Sequence, residues 1–376
     1  MAVELKNRIA VDLGVQVSVV EFLQGLNVEQ VASQVLSLLA TSASDAVTST
    51  QNLFSNPDRA LTPNLASDTF SPLSYGQGTI WFLYQLAPEV ASYVVPVAAH
   101  IRSTLDVPVL RHALQALIDR HASLRTTYTS QGGIPMQHVH ASVALDFQEE
   151  QVAGWSEAEL QERLVQEINR PFDLTNGPLL RVHLFTRSAQ DRTLLLTVHH
   201  IAIDFWSLNI LLKELRTLYL AEKSGIQVSL PALPAQYTDY VAWQARLIAS
   251  PEGERLWTYW QQQLAGRLPI LTLPTDRPRP PVQTYHGAPY KFRLDAELVD
   301  QLKALARAEG ATLYMTLLAA FYALLHRYSG QDVIVVGAPA VGRGRAEFEG
   351  IVGYFANPLP LPADLADHPS FTQLLR

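Results

Sequence analysis

The sequence predicts an α/β fold with helices layered on a sheet. Two observations lead there. From residue 73 onward, short apolar runs of strand length alternate with longer amphipathic segments of helical spacing. Hydrophobic residues make up 48% of the 376 and charged residues only 17%, against about 25% charged in an average domain. A chain of this length and composition has ample apolar material for a large core and does not have the polarity of a disordered one.

Taken in order, residues 1–40 read as two short helices. Val3, Leu5, Ile9 and Leu13 give one apolar face, and Val28, Val31, Val35, Leu38 and Leu39 give another, with Asn27 as a cap after Gly25. Residues 41–70 are rich in Ser, Thr, Ala, Asn, Asp and Pro, carry no apolar period and read as a linker. Helices are expected at 75–86, 107–121, 156–169, 206–223, 250–264, 296–309 and 313–328, and strands at 94–101, 179–186, 193–199, 288–294 and 333–338. The proline-rich stretch 273–281 marks either a boundary between subdomains or a long surface loop.

Composition excludes several functions. The net charge of −7 opposes the broad basic face of a nucleic-acid binder. With no cysteine, disulfides, thiolate zinc sites and cysteine nucleophiles are ruled out together. The charged, amphipathic start is no signal peptide. The longest apolar run, 313–325, is shorter than the roughly 20 residues of a spanning helix. The expectation is a soluble, cytoplasmic protein that engages neither membrane nor nucleic acid.

The sharpest local feature lies at 194–207. An apolar strand delivers His199 and His200, a short turn follows, and a helix begins with Leu208, Leu211, Leu212 and Leu215 facing inward. Consecutive strand residues point to opposite faces, so one histidine is expected in a cleft and the other in packing. A neutral imidazole in a cleft accepts a proton from an attacking amine or hydroxyl. Two opposed side chains cannot ligate one metal ion, and no H-E-x-x-H accompanies them. The G-x-S-x-G elbow of serine hydrolases is absent, and Gly342-Arg343-Gly344-Arg345 lacks the lysine and spacing of a phosphate loop. Asp204, four residues past His200, either braces the turn or pairs with a distant arginine.

The segment His199-His200-Ile201-Ala202-Ile203-Asp204 resembles the H-H-x-x-x-D signature of nonribosomal peptide synthetase condensation domains, which have chloramphenicol acetyltransferase-like folds. Four more stretches match family motifs in order: 71–77 with Trp81-Phe82-Leu83, then 120–128, 237–244 and 351–357. The resemblance implies a V-shaped, two-lobed α/β fold over residues 71–376. Its first lobe would cover about 72–244, and its second lobe would start near 287 and be truncated. Carrier-bound donor and acceptor would enter a tunnel between the lobes from opposite ends.

In that picture His200 is the catalytic residue, as base or as a positioning group. His199 is structural at the site, and Arg125 holds Asp204 in a buried ion pair. Phe205, Ser207 and Asn357 are tunnel-lining candidates. Phe205 stands where the family usually carries glycine, and its ring either folds into the core under Trp206 or faces the donor and favours apolar chains. No cofactor or metal is bound directly; phosphopantetheine enters as the arm of partner carriers.

The N-terminal stretch, with Leu13-Gly14-Val15 and Phe22-Leu23-Gln24-Gly25, resembles the later half of a polyketide-type acyl carrier domain whose attachment serine lies upstream of Met1. Together the two resemblances imply a piece of a hybrid polyketide and nonribosomal peptide megasynthase, cut at both ends. Its expected reaction is transfer of a polyketide or fatty acyl chain from an upstream acyl carrier to the amine of an aminoacyl thioester on a downstream peptidyl carrier. Ester formation or chain release with a hydroxyl acceptor, and a non-catalytic scaffold that docks carriers, are the alternatives. The complete H-H-x-x-x-D argues against the scaffold.

Overall fold

The computed structural model describes residues 69–376 apart from 267, 282, 284 and 286, together with helical positions 30, 32, 33, 35 and 37. The expected carrier portion (1–40) and linker (41–70) therefore lie almost wholly outside the described residues.

A four-stranded sheet organises the first part of the chain. Its order is β2 (Val94–Ile101), β7 (Asp191–His199), β6 (Leu180–Ser188) and β5 (Asp146–Gln151). Strands β5 and β6 run parallel, and the other neighbours are antiparallel. The central strand β7 is buried on both faces toward its C-terminal end. Leu194, Leu196 and Val198 join the core made with helices α2 (Val107–Arg120) and α4 (Phe205–Lys223). Leu195 points the other way, to Phe185 and to Leu160 and Leu164 of α3 (Glu157–Ile168). This is the period-2 alternation of a strand buried on both sides. Each fully buried aliphatic side chain contributes roughly 1.5–3 kcal/mol, so the layering fixes β7 and its C-terminal end firmly.

Beside this core lies a second, three-stranded sheet. It orders β1 (Thr69–Pro72), β4 (Ile134–Val139) and β3 (Thr126–Gln131). Helix α1 (Tyr75–Leu86) starts with a capping box between Ser74 and Gln77. Helices α5 (Tyr237–Ile248) and α6 (Pro251–Gln263) follow α4. The C-terminal part holds α7 (Ala296–Ala308), α8 (Leu313–Ser329) and the antiparallel pair β8 (Val333–Ala340) and β9 (Asn357–Asp364), then α9 (Phe371–Leu375). Tyr322 and Leu325 of α8 pack on Ile334 and Leu365. Among the described residues, no single helix is long and apolar enough to cross a membrane.

The expected strand at 288–294 does not form. Its alternation is real, but Tyr290 and Phe292 are 89% and 74% exposed and the segment joins no ladder. A strand needs a neighbour for its N–H and C=O groups, and none of the described residues supplies one.

Candidate active site

The C-terminal end of β7 opens into a turn whose backbone is tied at each step. His199 N–H donates to Leu179 O at 3.0 Å, and His200 N–H donates to Tyr93 O at 2.8 Å. Ala202 and Ile203 N–H groups then close the turn onto the carbonyls of His199 and His200. Ile201, Ala202 and Ile203 are fully buried, so the turn is anchored by its apolar middle.

The two histidines face different surroundings. His199 is buried between the rings of Tyr93 and Phe172. Its Nδ1 accepts the Ile201 N–H at 3.2 Å, which places the ring proton on Nε2. Burial, helped by His200 and Arg181, pushes its pKa down to about 3, so it stays neutral at any physiological pH. His200 is half-buried. Its Nδ1 lies 2.6 Å from the carbonyl oxygen of Ile203. A carbonyl only accepts, so Nδ1 carries the hydrogen, and in the neutral ring Nε2 keeps a lone pair.

Asp204 closes the turn and caps α4. Its Oδ1 accepts both the N–H and the hydroxyl of Ser207 at 2.7 Å, which satisfies a first-turn donor of the helix. The carboxylate also accepts Nη2 of Arg343 at 3.1 and 3.3 Å, and Oδ2 accepts the Phe355 N–H at 3.2 Å. Arg343 is itself buried. Its Nη1 donates to Phe348 O and Ile351 O at 2.5 and 2.6 Å, and its guanidinium lies 3.8 Å from the centre of the Phe355 ring. Burial lowers its pKa while Asp204 opposes that shift. The pair thus clamps the start of α4 to the 343–355 segment.

This corrects the expected pairing of Asp204 with Arg125. Arg125 ends the short 3₁₀ turn Ala122–Arg125 and donates to His140 O. Strand β3 leads away from that turn, whereas Gly342, at φ +69°, swings Arg343 back toward α4. An added Cβ at Gly342 would collide with the carbonyl oxygen of Phe355, so only glycine fits this return.

The other site expectations divide. Phe205 does not fold under Trp206; it is 77% exposed at the first position of α4. Ser207, expected to line a tunnel, is instead fully buried. Its hydroxyl accepts from Arg343 Nη2 and the Gly353 N–H, and its one hydrogen serves Asp204 or Gly353 O. Residues two apart on a helix lie about 200° apart around its axis, so Phe205 and Ser207 could not both face one cavity. Asn357 begins β9 and is exposed.

The 351–357 stretch also brings Tyr354 to His200. The two rings are perpendicular, with centroids 5.1 Å apart. Tyr237 joins this segment to α1, since its hydroxyl donates to Tyr354 O and lies 2.9 Å from Ser74 Oγ. An added Cβ at Gly353 would run into the Tyr237 ring, so this close approach requires glycine.

An α/β scaffold thus presents a half-buried histidine, its Nδ1 bonded to Ile203 O, on a turn capped by a buried Asp–Arg pair. The chain belongs to the condensation-domain family, whose sequence model matches residues 67–376. It is 43% identical over 312 residues to one of the proteins that make up the linear gramicidin synthase of Brevibacillus parabrevis, a match that takes in 82% of this chain and 4% of that protein. It is 38% identical over 323 residues to phosphinothricin tripeptide synthetase PhsC of Streptomyces viridochromogenes, covering 85% of this chain and 30% of that one. Among solved structures, the X-domain from teicoplanin biosynthesis superposes with a TM-score of 0.76 at 29% identity, over 84% of this chain and 70% of the other. The first condensation domain of the CDA synthetase gives 0.67 at 25% identity, over 82% and 74%. The chain spans less than a third of the length of the two synthetases it matches.

Proposed function

We propose that this chain catalyses acyl transfer from a carrier-bound thioester to a carrier-bound amine, forming an amide. The single observation that carries the reading is His200: with Nδ1–H committed to Ile203 O, the imidazole keeps Nε2 as its basic atom. The acceptor nitrogen attacks the thioester carbonyl carbon and loses a proton to Nε2. The tetrahedral intermediate then collapses, the C–S bond breaks, and the departing thiolate takes that proton from the imidazolium. No cofactor is consumed, and phosphopantetheine serves as the arm of each partner carrier.

The donor in this reading is a polyketide or fatty acyl chain from an upstream acyl carrier, and the acceptor is an aminoacyl group on a downstream peptidyl carrier. The 77% exposed ring of Phe205, one residue past Asp204, supports an apolar donor. The wider picture is a tunnel between two lobes in the cytoplasm.

Single-turnover reactions with matched carrier-bound acceptors test the proposal. An amine acceptor is expected to yield amide from a fatty acyl donor faster than from an aminoacyl donor. A hydroxyl acceptor turning over faster than the amine would replace amide formation by the ester-forming alternative. No product with either acceptor, while both carriers still bind, would leave the docking scaffold.

A further inference from the structure

The mechanism requires the imidazole plane of His200 to be fixed as well as its tautomer, and one hydrogen bond at Nδ1 leaves the ring free to rock about that bond. The ring of Tyr354 stands perpendicular to it at 5.1 Å, inside the 4.5–7 Å range of favourable edge-to-face pairs. Tyr354 is itself held on two sides. Its backbone carbonyl accepts the Tyr237 hydroxyl, and its ring fills the space beside Gly76, where an added Cβ would come within 2.8 Å of Cε1. Residue 76 therefore has to be small for the tyrosine ring to stand where it does. Tyr93 completes the frame by accepting the His200 N–H through its carbonyl.

We propose that Tyr354 is a positioning residue for His200, its aromatic ring holding the imidazole plane so that Nε2 meets the acceptor nitrogen. The inference rests on the catalytic reading of His200 and adds to it a residue outside the H-H-x-x-x-D turn. Tyr354 takes no proton in this role; its phenol, with a pKa raised by burial, stays neutral. The effect runs through ring contact and geometry, so the hydroxyl is dispensable and the ring is not.

The test compares Tyr354→Leu and Tyr354→Phe in single-turnover amide formation, each also placed in a His200→Ala background. Tyr354→Leu is expected to lower kcat by about 10- to 100-fold, the scale of an ångström-sized misplacement of a reacting group, with KM for the carrier-bound amine changed less than about threefold. Tyr354→Phe restores most of that loss because it restores the ring. In the His200→Ala background neither substitution lowers the residual rate further, since Tyr354 then has nothing to position. The Tyr237 bond is made to the backbone of residue 354, so it survives both substitutions, and a melting curve checks that the Leu variant is folded. An unchanged kcat in a folded Tyr354→Leu protein would overturn the proposal. So would a loss in Tyr354→Phe as large as in Tyr354→Leu, or an additional loss on top of His200→Ala. A His200→Ala protein that turns over normally would instead refute the catalytic reading on which it rests.

Discussion

Replacing His200 by alanine is expected to lower amide formation by about 10²- to 10⁴-fold, the usual contribution of a positioned acid–base group, while costing less stability than His199→Ala. The side chain is half-buried, and its loss removes one bond, from Nδ1 to Ile203 O, while the backbone bonds that shape the turn remain. His199→Ala has the opposite profile. It empties a buried site between Tyr93 and Phe172 and strands the N–H of Ile201. That unpaired buried donor alone costs about 1–3 kcal/mol, so the loss falls on stability. Single-turnover kinetics and urea unfolding on the two variants separate the roles. A His200→Ala protein with wild-type turnover would show that the reaction does not pass through this imidazole.

The second large effect lies at Asp204 and Arg343. Both side chains are buried, and each is the other's principal countercharge, with N···O at 3.1 Å. Removing one partner leaves a buried charge without compensation, so Asp204→Ala and Arg343→Ala are each expected to destabilise by about 3–5 kcal/mol. The double substitution should lose much less than the sum of the two. Lysine at 343 does not rescue, because the guanidinium also feeds the carbonyls of Phe348 and Ile351 and the hydroxyl of Ser207. Urea unfolding of the two singles and the double gives the coupling energy directly. Additive losses for this pair, or strong coupling between Asp204 and Arg125, would contradict the geometry.

The site was legible in part, for reasons that differ residue by residue. The H-H-x-x-x-D turn stands out because strand, turn and helix are contiguous, so local periodicity alone places both histidines and Asp204. Arg343 was out of reach of that reasoning. It lies 139 residues from Asp204, and its Gly342-Arg343-Gly344 setting draws attention only as a phosphate loop that fails. A signal was nonetheless present: an aspartate that caps a helix under an apolar turn needs a cation, and an arginine beside a glycine can be swung into a crowded site. The opposite fates of Phe205 and Ser207 follow from helix geometry once Asp204 is taken as the cap, because the third helical residue folds back onto the capping carboxylate.

The fold shows the same division. Helix α1 matches its expected range, as apolar spacing and caps are local properties. Strands β3 and β4 were missed although Gly132-Gly133, at φ +59° and +83°, marks the two-residue turn between them. Their sequences are too polar to stand out by hydrophobicity. Helix α5 carries its buried face on tyrosines, Tyr237 and Tyr240, and so does not read as an aliphatic stripe. The 288–294 segment fails in the reverse direction: its pattern is that of a strand, but a ladder takes two.

The mechanism turns on which nitrogen of His200 holds the proton. A ¹⁵N spectrum of the protein with labelled histidine, assigned by comparison with His200→Ala and His199→Ala, reads this directly at neutral pH. The structure predicts opposite tautomers for the adjacent pair, with the proton on Nδ1 in His200 and on Nε2 in His199. A neutral His200 protonated on Nε2 would have no lone pair there to receive the proton of the attacking amine, and that result would contradict the mechanism.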